Sequence, residues 1–213
     1  MASDGAALAS SRVGDLLGPE GPLANGLAGY EERPGQLEMA RAVERTLAED
    51  RVLLCEAGTG TGKTLAYLVP AILSGRKVIV STATRALQEQ IFTKDLPLVE
   101  SLLGLRPRAA LMKGLGNYLC RRRFREFAAS AEAQRPARAR AIDAVARWIE
   151  ETETGDLGEL ATLGEDDPTR LAVASSSETR LGPACAHFDE CFVTQMRRDA
   201  DAAQLVVVNH HLF

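Results

Sequence analysis

The chain has 213 residues, 46% hydrophobic and 25% charged, both ordinary values for a soluble globular protein with room for one large domain or a domain with an insertion. A formal net charge of −4 argues against a uniformly basic nucleic-acid binder, so any contact with a polyanion must come from a local patch. Four cysteines are too few for a disulfide scaffold of this size, no run approaches a membrane span, and the first residues lack the basic and apolar regions of a signal peptide, so a cytoplasmic protein is expected.

Residues 1–29 are rich in Gly, Ala, Ser and Pro and are expected to form a flexible arm, with one short helical turn around Arg12–Leu17. A helix is predicted from Gln36 to Glu49, its apolar stripe made by Leu37, Ala40, Val43 and Leu47, with Pro34 near its start where a missing N–H costs nothing. Val52–Cys55 is a short apolar run of the length of a buried strand, which would make Cys55 a core residue. It leads into Glu56-Ala57-Gly58-Thr59-Gly60-Thr61-Gly62-Lys63-Thr64, and Leu65–Leu73 then repeats apolar residues at helical spacing.

Strand, glycine-rich turn and a helix opening on Lys-Thr together make the setting a P-loop requires. The glycines let backbone N–H groups turn inward, where they and the helix N-terminus cradle phosphate oxygens. Lys63 would reach the β- and γ-phosphates and the Thr64 hydroxyl would ligand Mg²⁺. Ala57 stands where the strict pattern has its first glycine. Gln36 lies upstream with an amide able both to donate to and accept from an adenine edge.

The next strand is centred on Val78-Ile79-Val80, and Ser81–Gln90 places several hydroxyls at its carboxyl end, suited to a phosphate contact or, for Thr84, a helix N-cap. Arg106–Met112 is a third strand. Basic residues dominate from Arg106 to Arg147, which fits either a phosphate-tracking face or solvated helices. Residues 155–179 read as polar loops and short helices. Cys185 and Cys191 bracket His187, a helix follows from Phe192 to Ala203, and Leu205–Val208 is a strand leading to Asn209-His210.

In order and spacing, Arg33-Pro34-Gly35-Gln36, the P-loop, the Ser81–Gln90 block, Lys113-Gly114 through Asn117-Tyr118-Leu119-Cys120, and Val206–His210 resemble the XPD/DinG group of superfamily 2 DNA helicases. The resemblance implies an α/β fold: an incomplete RecA-like P-loop motor domain, its parallel sheet flanked by helices, with a mainly helical insert. The P-loop subdomain would span 30–113, the DNA-contacting, iron–sulfur-like insert 114–204, and a returning strand 205–213. ATP and Mg²⁺ are the implied ligands. Single-stranded or forked DNA is the implied partner, unwound 5′ to 3′ by a monomer in the intact enzyme during repair or replication. Residues 57–64 with Gln36 would hold the nucleotide, and Thr82 and Thr84 would lie near the DNA.

Two departures limit this. The family holds a [4Fe–4S] cluster with four cysteines; Cys120, Cys185 and Cys191 match, but Arg180 stands in the remaining position, and a guanidinium is no thiolate ligand. Three readings stay open: three thiolates with another group such as His187, a different metal such as zinc, or no metal at all. The second departure is that no Asp-Glu-x-His occurs in these residues, so the chain is expected to bind ATP without hydrolysing it. The alternative is a standalone, non-catalytic nucleotide- or DNA-binding module.

Overall fold

The computed structural model describes residues 12–27 and 29–212. Two compact units arise from them: one holds the described residues up to Ala109 together with Ala203–Val207, the other Ala110–Ala202 together with the described residues from Val208 onward. Among the described residues, no helix is long and apolar enough to cross a membrane.

The first unit begins with two short helices, α1 (Arg12–Leu17) and α2 (Pro22–Gly26). Over its described part, the segment expected to be a flexible arm is therefore structured. Val13, Leu17 and Leu23 are buried, and α1 packs on α3 (Pro34–Ala48), which repays the cost of ordering the breaker-rich chain between them. Pro34 opens α3 at a position where its lost N–H has no helical partner to miss. Helix α4 (Lys63–Leu73) is apolar nearly all round, with Ala66 and the run Leu68–Ile72 buried, as befits a helix covered on most sides. It packs along α3.

Strand β1 (Val78–Thr82) follows, then one long helical stretch made of α5 (Arg85–Gln90), a π-helical turn at Ile91–Asp95, and α6 (Leu96–Leu103). It stops at Gly104, whose φ of 64° is the left-handed conformation that closes a helix. With β2 (Ala109–Met112) and β3 (Leu205–Asn209), β1 forms a parallel three-stranded sheet in the order β1-β3-β2. All five residues of β3 are buried, in keeping with the central place of its β-branched run. Flanking helices on a parallel sheet fit the RecA-like expectation.

The apolar run before the P-loop does not form a strand. Val52 and Leu54 are 93% and 96% exposed, and Cys55 is exposed rather than a core residue. A strand persists only where its backbone groups find ladder partners, and the three-stranded sheet offers this run none.

In the second unit, α7 (Arg121–Ala128), α8 (Pro136–Glu151), α9 (Pro168–Val173) and α10 (Phe192–Ala202) surround a core of Tyr118, Leu119, Val145, Ile149, Leu157, Val173 and Phe192, among others. The region expected to be polar loops thus supplies Leu157, Leu160, Leu163 and Val173 to that core. Gly155 has φ of 66° and lies under the Phe192 ring, where a Cβ would sit 2.1 Å from the ring's Cγ. Lys113 and Asp156 form a buried ion pair at 2.6 Å.

Candidate nucleotide-binding site

The P-loop segment has no regular structure until Lys63 starts α4, and its shape is set by local contacts. Gly60 and Gly62 have φ of 79° and 77°, a conformation costly for any residue with a Cβ. The Thr61 hydroxyl donates to the Gly58 carbonyl at 2.9 Å, pinning the turn. Lys63 folds back so that its Nζ donates to the carbonyls of Ala57 and Gly58, each at 2.7 Å. The ammonium therefore sits inside the loop with carbonyl oxygens for partners, a stand-in for the phosphate oxygens a nucleotide would bring.

Gln36, 6% exposed, reaches this loop from the start of α3. Its Nε2 donates to the Gly62 carbonyl at 3.0 Å. A Cβ at Gly62 would stand 2.2 Å from that nitrogen, so the third glycine makes room for the amide as well as for the turn. Sequence spacing alone singles out Gln36 and the P-loop separately; the fold brings them together. One amide N–H is used on the loop.

Two neighbours have no counterpart among the residues that the sequence motifs mark. Burial pushes the Tyr67 phenol above its ordinary pKa, the Thr64 side chain opposing and the Asp95 carboxylate adding to the rise. Asp95 lies at the end of the π turn; burial raises its pKa, against the lowering effects of Gln90, which donates to it at 3.4 Å, and of Lys94. The i, i+3 spacing of Thr64 and Tyr67 is visible in the sequence, but nothing there announces a π turn.

The hydroxyl block after β1 is engaged locally. Thr84 caps α5 by accepting from the Leu87 N–H at 3.2 Å, and the Thr82 hydroxyl donates to the Thr84 carbonyl at 3.1 Å. Gln88 is fully buried, with its Nε2 donating to the Val207 carbonyl at 3.0 Å.

In the second unit, arginines at the start of α7 act as braces: Arg121 donates to the Glu190 carbonyl, Arg122 to that of Thr179, and Arg123 to those of Ala174 and Leu171. Of the basic run, Arg125, Arg135, Arg140 and Arg147 are exposed. The charge concentration thus divides into structural and solvent-facing members.

Cys120, Cys185 and Cys191 are each half-buried. Arg180 donates to the Thr194 hydroxyl at 3.4 Å and its charge is felt by Cys191. Burial works to raise the Cys191 thiol, but the Thr194 hydroxyl, the N–H groups of Thr194 and Val193, and Arg180 together hold it below the ordinary thiol value. Among the described residues, no three His, Cys, Asp or Glu side chains gather as a metal-binding group, and His187 does not complete one. A set of three thiols with a guanidinium in the fourth place does not fit a four-thiolate cluster.

Residues 34–125 match the model of the DEAD/DEAH box helicase family. Over 95% of its length the chain is 39% identical to the ATP-dependent DNA helicase YoaA of Haemophilus influenzae, covering 32% of that protein. It is 40% identical to the ATP-dependent helicase DinG of Mycobacterium tuberculosis, with 86% of this chain and 31% of the relative aligned. The Bacillus subtilis protein named 3′-5′ exonuclease DinG is 36% identical over 92% of this chain and 21% of its own length. The chain is thus similar to proteins of these names, and it spans about a third or less of the length of these curated relatives.

Proposed function

We propose that this chain is the nucleotide-binding portion of a DinG-type, ATP-dependent DNA helicase. The observation that carries the reading is the P-loop cradle itself: two left-handed glycines, a Lys63 ammonium folded into the loop, and Gln36 docked on Gly62. In this reading Lys63 exchanges the Ala57 and Gly58 carbonyls for phosphate oxygens. The Thr64 hydroxyl holds Mg²⁺, which would neutralise phosphate charge, and Gln36 uses its amide on the adenine edge. Residues 57–62 supply backbone N–H groups to the phosphates.

DNA is the proposed polymer partner, in single-stranded or forked form, supported by the names of the relatives and by the exposed Arg125, Arg135, Arg140 and Arg147. The residues between the P-loop subdomain (30–113) and the returning strand (205–213) form the proposed DNA-contacting insert. No step is assigned to an iron–sulfur cluster, since the donor set does not fit one.

Because the 213 residues contain no Asp-Glu-x-His to hold the metal's other side and activate water, the proposed activity of this stretch is binding without turnover. Titration with a fluorescent ATP analogue and Mg²⁺ tests this. The expected result is saturable binding in the intact chain, weakened about 10- to 100-fold in Lys63→Ala by loss of a charge-assisted contact. Absence of binding, or steady ATP hydrolysis stimulated by single-stranded DNA and lost in Lys63→Ala, would overturn it.

A further inference from the structure

We infer that Thr61 is a positioning residue whose hydroxyl keeps the P-loop in a self-bonded form, and so sets how readily Lys63 is released to a nucleotide. This rests on the P-loop reading of Lys63 and deepens it, by naming what holds the lysine back.

Residues 58–61 make a turn, and Gly60 stands at its third place with φ of 79°, the positive value that a type II turn requires there. The Thr61 hydroxyl closes the turn by donating to the Gly58 carbonyl at 2.9 Å. Its methyl group lies by the same glycine: a Cβ built on Gly58 would stand 3.9 Å from Thr61 Cγ2. A carbonyl oxygen accepts through two lone pairs, and at Gly58 the Thr61 hydroxyl and the Lys63 ammonium both donate, the ammonium at 2.7 Å. The Ala57 carbonyl, also at 2.7 Å, completes a two-oxygen seat for the charge. Both ammonium contacts have the short length of charge-assisted hydrogen bonds.

Without its hydroxyl partner the Gly58 peptide is free to turn its carbonyl toward water, which leaves Lys63 with half its seat. Thr61 fixes that carbonyl toward the inside of the loop. Phosphate oxygens gain Lys63 only when the two carbonyls give it up, so the fraction of molecules with the lysine released scales the apparent nucleotide affinity. Loss of one neutral hydrogen bond changes that fraction by about 2- to 10-fold. A threonine that served only as a spacer between Gly60 and Gly62 would need neither the hydroxyl bond nor the methyl contact.

The test uses the intact chain beside Thr61→Val, which keeps the branched shape without the hydroxyl, and Thr61→Ser, which keeps the hydroxyl. Lys63 reactivity is read first, without nucleotide, by a short pulse of acetic anhydride and mass spectrometry, with the exposed Lys77 and Lys94 as internal references. An ammonium seated on two carbonyls must leave them before its nitrogen can attack the reagent. Thr61→Val is expected to label Lys63 about 2- to 10-fold faster than the unsubstituted chain, with Thr61→Ser restoring the slow rate. Stopped-flow binding of a fluorescent ATP analogue with Mg²⁺ is read second. There Thr61→Val is expected to associate faster by a similar factor, its melting temperature kept. Unchanged Lys63 labelling in Thr61→Val overturns the inference, as does equal labelling in Thr61→Val and Thr61→Ser. Unchanged or slower association overturns it too, because the hydroxyl then serves the bound form. Should Thr61→Val not fold, Thr61→Ala is read by the same criteria. If the unsubstituted chain binds no nucleotide, the P-loop reading fails and the inference with it, whereas unchanged labelling with binding intact sinks the inference alone.

Discussion

Asp95 shows how one side chain can be placed against its own preference. Burial favours its neutral form, so its folded pKa is raised. A raised carboxyl pKa adds stability at pH values below the unfolded value, near 3.9, and that contribution is lost as pH rises through the folded value. Ionised Asp95 therefore burdens the fold at neutral pH. Asp95→Asn is expected to raise the melting temperature at pH 7, with the gain fading below about pH 4; melts across that range in a single buffer system check it. Lys63, Thr64 and Gln36 are legible at this scale because motif chemistry fixes residue type and spacing. Tyr67 and Asp95 are not, since their partial burial depends on tertiary packing.

Among the elements, the run Val52–Cys55 separates hydrophobicity from structure. Its composition announces a buried strand, yet it lies open because the sheet gives it no ladder. Leu54→Ser should accordingly leave the chain's melting temperature within a degree or so, since surface substitutions away from special features stay within about 0.5 kcal/mol. The ion pair between Lys113 and Asp156 is the opposite case, two charges inside the second unit that no sequence pattern links. Asp156→Ala removes the carboxylate beside a buried ammonium, with an expected loss of about 3–5 kcal/mol in urea unfolding; Lys113→Met with Asp156→Leu should recover much of it. The arms of α7 teach the same lesson, because Arg121–Arg123, part of a basic run open to either a phosphate-tracking or a solvated reading, hold backbone carbonyls.

For the molecule as a whole, the second unit carries its own apolar core and a set of arginine braces around the cysteine-bearing loop. Prolonged treatment with a strong chelator under anaerobic conditions is expected to leave the melting temperature unchanged, and elemental analysis of the purified chain should find well under one iron or zinc per molecule. Stoichiometric iron, with visible absorbance lost in Cys185→Ser, would show the donor set to be completed by a group other than Arg180.

The sequence by itself determined the P-loop motif, the helices α3, α4 and α10, and the strands β1, β2 and β3, because glycine conformations, helix periodicity and β-branched runs are local properties of the chain. It also exposed the missing fourth thiolate and the missing acidic pair, since both are questions of residue identity. Tertiary structure alone decided the packing of α1 and α2 on the first unit, the exposure of Val52–Cys55, the core hidden in residues 155–179, and the docking of the Gln36 amide on Gly62. Each of these turns on which distant surface is available to bury a side chain or pair a backbone, and no local pattern encodes that availability.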